Sequence, residues 1–221
     1  MKNFVKVKEK KLKKYDLAGN FLYLEKGKFY FADKLYNSIF INTEKYSKKG
    51  ELKTDINNHL TEFFTACSMV KNKPSFFVLT NDETHEDLVQ SLGEQYVEAT
   101  TKKHVAFLEK SPSIHFSKDA KFFKTWVEKL LEKRTDMFGQ NSIFIIIDKP
   151  ETFDLERLET YLSLSRSRKV YFMLLVYDKK AFETKISPEV AEIIYSNSPI
   201  KFTCNNDEIA SIEVNNNYIS R

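Results

Sequence analysis

The sequence predicts an α/β domain built on a mainly parallel sheet, with a layer of helices on each face of that sheet. Two apolar runs, at residues 142–148 and 170–177, are nearly continuous, as in central strands that are covered on both faces. Around these runs, predicted strands alternate with segments of helical period, which is the pattern of strand–helix–strand crossovers. Short strands near the N-terminus predict an additional small β-rich segment.

This β-rich segment is predicted to cover residues 1–45, and a larger unit is predicted to cover residues 46–221. Strands at 21–25 and 28–32 flank Lys26-Gly27, a pair suited to a hairpin turn. The remaining elements are predicted as strands at 37–42, 75–80, 96–99, 105–108, 142–148, 170–177 and 200–204, and helices at 55–72, 84–92, 119–138, 155–164 and 188–195. A short helical turn at 207–211 and a frayed tail at 215–217 end the chain.

The net charge of the chain is small but unevenly distributed. Lys and Arg number 35 and Asp and Glu number 31, and the resulting net charge of +4 does not by itself imply nucleic-acid binding. The first fourteen residues, however, contain seven lysines and one glutamate. Alternation of these lysines with apolar residues favours an edge strand that is protected by charge. Contact with nucleic acid or with an acidic partner is the alternative.

Composition also indicates the setting of the protein. The two cysteines, Cys67 and Cys204, lie far apart in apolar surroundings, which predicts reduced thiols buried as small hydrophobic groups. No apolar run approaches the roughly 20 residues needed to cross a bilayer, and the first residues lack the apolar core of a signal peptide. We therefore expect a cytoplasmic protein that reaches a membrane only through a partner.

The run Ile143–Lys149 is the most informative short motif. It consists of five apolar residues followed by Asp148, which predicts a buried strand with a carboxylate at its end. This is the form of the second nucleotide motif of P-loop NTPases, in which the Asp helps to hold Mg²⁺. In ATPases a Glu normally follows and activates water, whereas here Lys149 follows. No complete GxGxxG or GxxxxGK[ST] motif is present, although backbone N–H groups need glycine to approach a phosphate.

The order of segments from 142 to 214 resembles the RecA-like ATPase domain of the coupling proteins of conjugative type IV secretion systems. In that family an apolar strand ending in Asp-Glu precedes a helix, an Arg-Ser-Arg segment, a second apolar strand and a helix leading to Ser-Asn. The corresponding residues here are Ile147-Asp148-Lys149, 155–164, Arg166-Ser167-Arg168, 170–176, Ser196-Asn197 and then Asn206-Asp207-Glu208. Lys73-Pro74-Ser75 resembles an upstream strand of the family. The resemblance therefore covers about residues 46–214 and implies a RecA-like three-layer fold.

The phosphate-binding part of the family pattern is altered in this chain. Lys53-Thr54 aligns with the GK[ST] pair, but Ser47 and Leu52 replace the two glycines, and Tyr177-Asp178 stands where the family often has Gln. The resemblance thus implies a degenerate ATPase that serves as a binding or regulatory component of a conjugative DNA-transfer or secretion apparatus. Such a protein would need no cofactor, and its protein partner would be an active ATPase.

Two other functions remain open at this stage. An active hydrolase would bind ATP and Mg²⁺ with Lys53 and Thr54 on the phosphates and Asp148 on the metal; the plainer interpretation makes Thr54 a helix cap and Asp148 a strand-end acid that caps a turn or pairs with Lys149. A DNA-binding adaptor would use Arg166 and Arg168 together with the N-terminal lysines. A DNA or subunit interface would use the basic cluster Arg166, Arg168 and Lys169, whose charged groups suit phosphates and carboxylates. The alternative for this cluster is a solvated loop.

Overall fold

Two sheets of unequal size organise the protein. The computed structural model describes residues 4–42, 56–81, 96–98, 108, 111–134, 141–205, 208–214 and 217–220. The smaller sheet is antiparallel and contains β1 (Phe4–Lys8), β2 (Phe21–Glu25) and β3 (Lys28–Ala32). Its order is β1–β3–β2, so that β3 lies in the middle, and the turn between β2 and β3 falls at Lys26-Gly27 as predicted.

The larger sheet has nine strands within the described residues, and seven of them run parallel. In chain order these strands are β4 (Ser38–Asn42), β5 (Ser75–Leu79), β6 (Val97–Glu98), β7 (Ser113–Ser117), β8 (Ile143–Asp148), β9 (Val170–Val176), β10 (Ile200–Asn205), β11 (Glu208–Val214) and β12 (Asn217–Ser220). Across the sheet the order is β12-β11-β10-β4-β9-β8-β5-β7-β6, with β11 and β12 antiparallel. The first strand of this sheet in the chain, β4, is therefore an interior strand.

Helices cover both faces of the larger sheet. They are α1 (Ile56–Met69), α2 (Ala120–Lys133), α3 (Leu158–Ser165), α4 (Lys179–Ile186) and α5 (Pro188–Ser196). Alternate residues of a strand point to opposite faces, so Phe144 and Ile146 pack in the core that contains α1 and the small sheet. Ile145 and Ile147 pack in the core that contains α2, α3, α4 and α5. The predicted three-layer α/β fold, with a mainly parallel central sheet and a small β-rich N-terminal segment, is confirmed.

Local sequence signals account for the long helix α2. The side chain of Asp119 caps its start by accepting a hydrogen bond from the N–H of Phe122 over 2.9 Å. Its apolar residues recur every three or four positions, and Phe123, Val127 and Leu130 are buried against the sheet. Burial of each such side chain stabilises the fold by about 1.5–3 kcal/mol, so this face fixes α2 on the sheet.

A buried asparagine joins four separate parts of the chain. Asn37 lies just before β4, and its Nδ2 donates to the carbonyl oxygens of Leu162 (2.9 Å) and Asn197 (3.1 Å). Its Oδ1 accepts from the hydroxyl of Ser165 (3.1 Å) and the N–H of Phe172 (2.9 Å). Both donors and both lone pairs of the amide are thus used. Asn37 thereby fixes the start of β4 against α3, β9 and the end of α5.

A histidine in α1 is buried among aromatic rings. The ring of His59 lies 5.2 Å from that of Phe21, 5.1 Å from that of Phe40 and 4.9 Å from that of Phe202, measured between centroids. Its Nε2 has no hydrogen-bond partner in the described part of the chain. Burial without a counter-charge lowers the pKa of His59 to about 3, so the imidazole stays neutral in the folded protein at ordinary pH. Cys67 and Cys204 are also buried and are not joined in a disulfide, as predicted.

Several local predictions differ from the structure. Residues 208–211, predicted to be helical, belong to β11, and Asn217, predicted to fray, begins β12. Both segments pair antiparallel with a preceding strand, which supplies the hydrogen bonds that local sequence does not predict. β7 and α4 were not predicted. Leu108, predicted to end a strand, is in a 3₁₀ turn, whereas the predicted helix at 84–92 lies outside the described residues.

The proposed division of the chain at residue 45 stays a prediction. β4 lies before that position and yet is an interior strand of the larger sheet, between β10 and β9. Phe21 and Phe31 of the small sheet share one hydrophobic core with Phe63 and Phe64 of α1. The small sheet is thus packed on the same face of the larger sheet as α1.

Candidate functional site

The connections that leave the carboxyl edge of the parallel sheet diverge between β4 and β9. After β4 the chain leaves the edge at Asn42 and returns in α1, on one face; after β9 it leaves at Tyr177 and enters α4, on the opposite face. Ligands of open α/β sheets bind in the crevice at such a switch point. β8 is the next strand after β9. At a strand spacing of about 4.8 Å, Asp148 at the end of β8 lies roughly 10 Å from the end of β4.

Asp148 contacts Thr80 at this edge. Thr80 directly follows β5, and its Oγ1 donates a hydrogen bond of 2.8 Å to Oδ2 of Asp148. Both side chains point toward the α1 face, because Val78 and Ile146, two residues earlier in each strand, are buried in that core. Hydrogen bonds to carboxylates are among the stronger ones in proteins. The carboxylate is therefore held in one orientation at the tip of its strand.

Lys149, which follows Asp148, adopts an uncommon backbone conformation. Its φ of 53° and ψ of 60° lie in the left-handed region, which a long side chain seldom occupies. Its N–H donates to the carbonyl of Leu175 over 3.1 Å, and its Nζ lies 5.3 Å from the centroid of the Tyr177 ring, within cation–π distance. An ammonium group has no lone pair with which to accept a proton from water. Lys149 thus presents an ammonium group, and not a carboxylate, directly after the strand-end acid Asp148.

Glu151 is a functional candidate that the sequence pattern did not identify. Its Oε1 accepts hydrogen bonds from the N–H groups of Tyr177 (3.2 Å) and Asp178 (3.1 Å), at the start of α4. Its Oε2 is buried and has no hydrogen-bond partner among the described residues. Burial raises the pKa of Glu151, although the backbone hydrogen bonds act against this shift. The sequence feature that could have identified Glu151 is its position, three residues after the strand-end acid Asp148 and in a turn that begins with Pro150.

The predicted phosphate-binding residues Lys53 and Thr54 lie outside the described residues, as do Ser47 and Leu52. What the structure gives is the place where their segment joins the fold, namely between Asn42 at the edge of the sheet and the start of α1. In the part of the chain that the structure describes, no group of three or more His, Cys, Asp and Glu side chains is arranged to hold a metal ion. The predicted role of Asp148 toward Mg²⁺ stays a prediction.

The predicted basic cluster lies at the opposite edge of the sheet. Arg166, Arg168 and Lys169 precede β9, whose seven residues separate them from the carboxyl edge by about 20 Å. Nε of Arg168 donates to the carbonyl of Leu131 over 2.6 Å, and its Nη1 donates to that of Leu164 over 3.0 Å. Arg168 thus binds carbonyl groups in the last turns of α2 and α3. The cluster shares no site with Asp148.

A buried arginine lies near the basic cluster, at the edge of the sheet opposite to Asp148. Arg134 follows α2 and is 1% exposed, and its Nη1 donates to the carbonyl of Asn141 over 3.0 Å. Longer hydrogen bonds of 3.4 Å join the same nitrogen to the carbonyls of Arg168 and Lys169. The backbone of the predicted cluster is therefore used to bind a buried guanidinium, which is a structural role.

The described part of the chain contains no helix that is both long and apolar enough to cross a membrane. Neither a protein-family model nor a curated protein matches the sequence.

Two solved structures have a similar fold. One is described as an ATPase, with a TM-score of 0.46 and 7% identity over 76% of this chain and 64% of that chain. This chain thus spans less than two thirds of the length of that ATPase. The other is the genome packaging NTPase B204 from Sulfolobus turreted icosahedral virus 2 in complex with ATP-γ-S, with a TM-score of 0.43 and 15% identity over 76% of this chain and 74% of that chain. Neither similarity is high enough to transfer a residue or an activity. What the structure itself gives is a mainly parallel sheet with an interior first strand, β4, and an acid at the end of β8.

Proposed function

We propose that this chain is a P-loop NTPase-like domain that does not hydrolyse nucleotide and acts as a binding or regulatory component of a conjugative DNA-transfer or type IV secretion apparatus. The observation that carries the proposal is the cation at Lys149, in the position where hydrolysis requires a base. Lys149 contacts the ring of Tyr177, and Asp148 accepts a hydrogen bond from Thr80. Lys149 and Asp148 therefore each have a role within the fold. Side chains at Ser47 and Leu52 support the same proposal, because glycine there would let the backbone approach a phosphate.

The protein partner in this proposal is an active ATPase of the same fold class. ATPase domains of the coupling-protein type pack against copies of themselves, and in this proposal the degenerate copy packs against an active one. The chain would then be cytoplasmic and would reach the membrane through this partner. Neither ATP nor Mg²⁺ is required for such a role, and pull-down from native cells followed by mass spectrometry would identify the partner.

Nucleotide binding and hydrolysis test the proposal directly. Isothermal titration calorimetry with Mg²⁺-ATP measures binding, and release of inorganic phosphate measures turnover. We expect no phosphate release above that of buffer. Asp148→Ala and Asp154→Ala form a matched pair, since Asp154 is an exposed acid in the loop that follows. Phosphate release that is lost in Asp148→Ala and kept in Asp154→Ala would refute the proposal.

A second function, hydrolysis through an atypical site, is favoured by Glu151. Its buried Oε2 lies at the same edge as Asp148 and has no hydrogen-bond partner among the described residues. The raised pKa of Glu151 lies closer to neutral pH than that of an ordinary carboxylate, and a general base works best when its pKa is near the working pH. In this function Glu151 accepts the proton of the attacking water, Asp148 holds Mg²⁺, and Lys53 and Thr54 bind the phosphates.

Matched substitutions separate this second function from the first. If Glu151 is the base, the natural protein hydrolyses ATP. Glu151→Gln and Lys53→Ala should each abolish this turnover. Glu132→Gln, an exposed acid on α2, removes the same charge far from the edge and should leave turnover unchanged. Turnover that survives Glu151→Gln would exclude Glu151 as the base.

A further inference from the structure

The positive charge of the chain is concentrated in the small sheet and the turn that follows β1. Residues 4–28 contain eight lysines and three acidic residues, a net charge of +5, whereas the whole chain has a net charge of +4. All other residues together therefore carry a net charge of −1. Such asymmetry within one chain is typical of a surface that meets an anionic partner.

The outer face of the small sheet presents part of this charge. On β1, Lys6 and Lys8 are both exposed, and they lie opposite Tyr30 and Lys28 of β3 in the antiparallel register. The inner face carries Phe29 and Phe31, which are buried in the core shared with α1. Further exposed lysines follow in the 3₁₀ helix after β1, at Lys10, Lys11, Lys13 and Lys14.

One cross-strand pair on this face brings two positive charges together when no anion is bound. Lys8 lies directly opposite Lys28, and like charges directly opposite each other destabilise an antiparallel pair. Glu25 lies opposite Lys28 on the other side, and its Oε2 accepts a hydrogen bond of 3.4 Å from the Tyr30 hydroxyl, so one carboxylate on this face meets the three lysines Lys6, Lys8 and Lys28. An anion bound across β1 and β3 would remove the repulsion between Lys8 and Lys28.

The lysine at the centre of the face is held in place by aromatic side chains. Tyr30 stacks on Tyr23 with ring centroids 4.3 Å apart, and Nζ of Lys6 lies 5.2 Å from the centroid of the Tyr30 ring. A hydrogen bond with Tyr30 raises the pKa of Lys6, so this side chain remains charged. A group that is already ordered loses less conformational entropy when it binds a ligand.

We propose that the outer face of the small sheet, with Lys6, Lys8 and Lys28 at its centre, binds the phosphate backbone of nucleic acid. This inference goes beyond the proposed role of the domain and does not depend on it. Within the described residues, Val5 is the one exposed large apolar side chain of the small sheet, and it belongs to the inner face of β1 with Val7. Membrane-surface binding by this kind of segment draws on apolar side chains as well as charge, whereas phosphate contacts need lysines alone.

Fluorescence anisotropy with a labelled oligonucleotide of about 30 nucleotides, single-stranded and as a duplex, tests this proposal on the full chain. Titrations between about 50 and 200 mM salt give the salt slope of binding. The variant Lys6→Gln/Lys8→Gln/Lys28→Gln should bind at least tenfold more weakly, with a log–log salt slope that is smaller by about 2–3, since each phosphate contact contributes about 0.7–0.9. The control Lys121→Gln/Lys129→Gln/Lys133→Gln, on exposed lysines of α2, removes the same charge and should bind as the natural chain does.

Three results would overturn the proposal. They are absence of binding at about 50 mM salt, an equal loss of affinity in both triple variants, and binding to vesicles of phosphatidylcholine with about 30% phosphatidylserine in place of the oligonucleotides. Unfolding in urea separates a binding defect from a folding defect. The small-sheet variant should be close to the natural chain in stability, because it removes the repulsion between Lys8 and Lys28 together with the contact of Lys6 with Tyr30 and the pairing of Lys28 with Glu25.

Discussion

The hydroxyl of Thr80 donates a hydrogen bond to the carboxylate of Asp148 across 2.8 Å, and this bond joins the tips of two neighbouring strands, β5 and β8. The two residues are far apart in the sequence but adjacent at the carboxyl edge. The bond fixes the orientation of the one strand-end acid that the sequence singles out. It therefore connects the stability of the edge with any chemistry that Asp148 performs there.

Replacing Thr80 by Val removes this bond and keeps the shape of the side chain. The free energy of unfolding should fall by about 1–3 kcal/mol, because the carboxylate of Asp148 loses a hydrogen-bond donor and valine offers no other donor in its place. Urea unfolding monitored by circular dichroism measures the change. Thr80→Ser, which retains the hydroxyl, should lie much closer to the natural protein. Equal stability of the Val variant and the natural chain would show that the bond contributes nothing.

Replacing Asn37 by Leu should destabilise the protein by about 2–4 kcal/mol, since the buried N–H of Phe172 would lose its acceptor and the carbonyls of Leu162 and Asn197 would each lose one donor. Thermal unfolding and urea unfolding both report this change. Ser165→Ala removes one donor of the same network and should cost only about 0.5–1.5 kcal/mol. Similar losses in the two variants would mean that the network does not centre on Asn37.

His59 should make the protein sensitive to acid. Its pKa is about 3 in the folded chain and about 6.5 in an unfolded one. Below pH 6.5 the unfolded state therefore binds a proton that the folded state does not, and stability falls as the pH is lowered toward 3. The contribution of one such group is at most about 1.4 kcal/mol per pH unit.

His59→Phe removes this contribution and keeps an aromatic ring among its neighbours. The stability of the natural chain relative to the variant should decline between pH 6.5 and pH 4 and stay constant above pH 7.5, in urea titrations at each pH. The other three histidines are present in both proteins and cancel in the difference. A difference that does not change with pH would indicate that the pKa of His59 is the same in the folded and the unfolded chain, as for an exposed imidazole.

Arg168 should behave as a structural residue. Arg168→Ala removes its bonds to the carbonyls of Leu131 and Leu164 and should lower the free energy of unfolding by about 1–3 kcal/mol. Arg166→Ala, whose guanidinium lies 5.0 Å from the Tyr36 ring, should change it by less than about 1 kcal/mol. If Arg168 serves instead as a contact for DNA or another subunit, its removal will leave the stability of the free protein unchanged.

The parts of the fold that the sequence predicts best are those with strong local signals. β8 and β9 are apolar on both faces, because each face of a central parallel strand is covered by another layer. α2 has an Asp cap and a regular apolar face, both of which are local properties.

The elements that the sequence does not predict depend on contacts from elsewhere in the chain. β11 is a strand because β10 offers a free edge, and β12 pairs in turn with β11; the residues of both are compatible with other conformations. β7 contains polar residues at buried positions, including His115. α4 contains three lysines and buries a single residue, Phe182, so its helical period is faint.

The candidate site shows the same division. Asp148 is visible in the sequence because it ends an apolar run. The bond from Thr80 and the position of Glu151 over the start of α4 depend on neighbouring strands and turns, which local patterns do not describe. The positive segment at residues 4–28 is visible as composition, whereas the opposition of Lys8 and Lys28 requires the register of the sheet.

The interior position of β4 has a consequence for synthesis of the protein. Ser38 pairs with Met173 on one side and with Ile200 on the other. At translation rates of 5–20 residues per second, the ribosome takes about 7–27 s to add the chain between Ser38 and Met173, its first neighbour to be made. During that time β5, β7 and β8 can already pair with one another, while β4 has no neighbour. The first strand of the larger sheet to be translated is thus among the last to be enclosed, and chaperones that bind exposed apolar strands have their longest opportunity at residues 38–42.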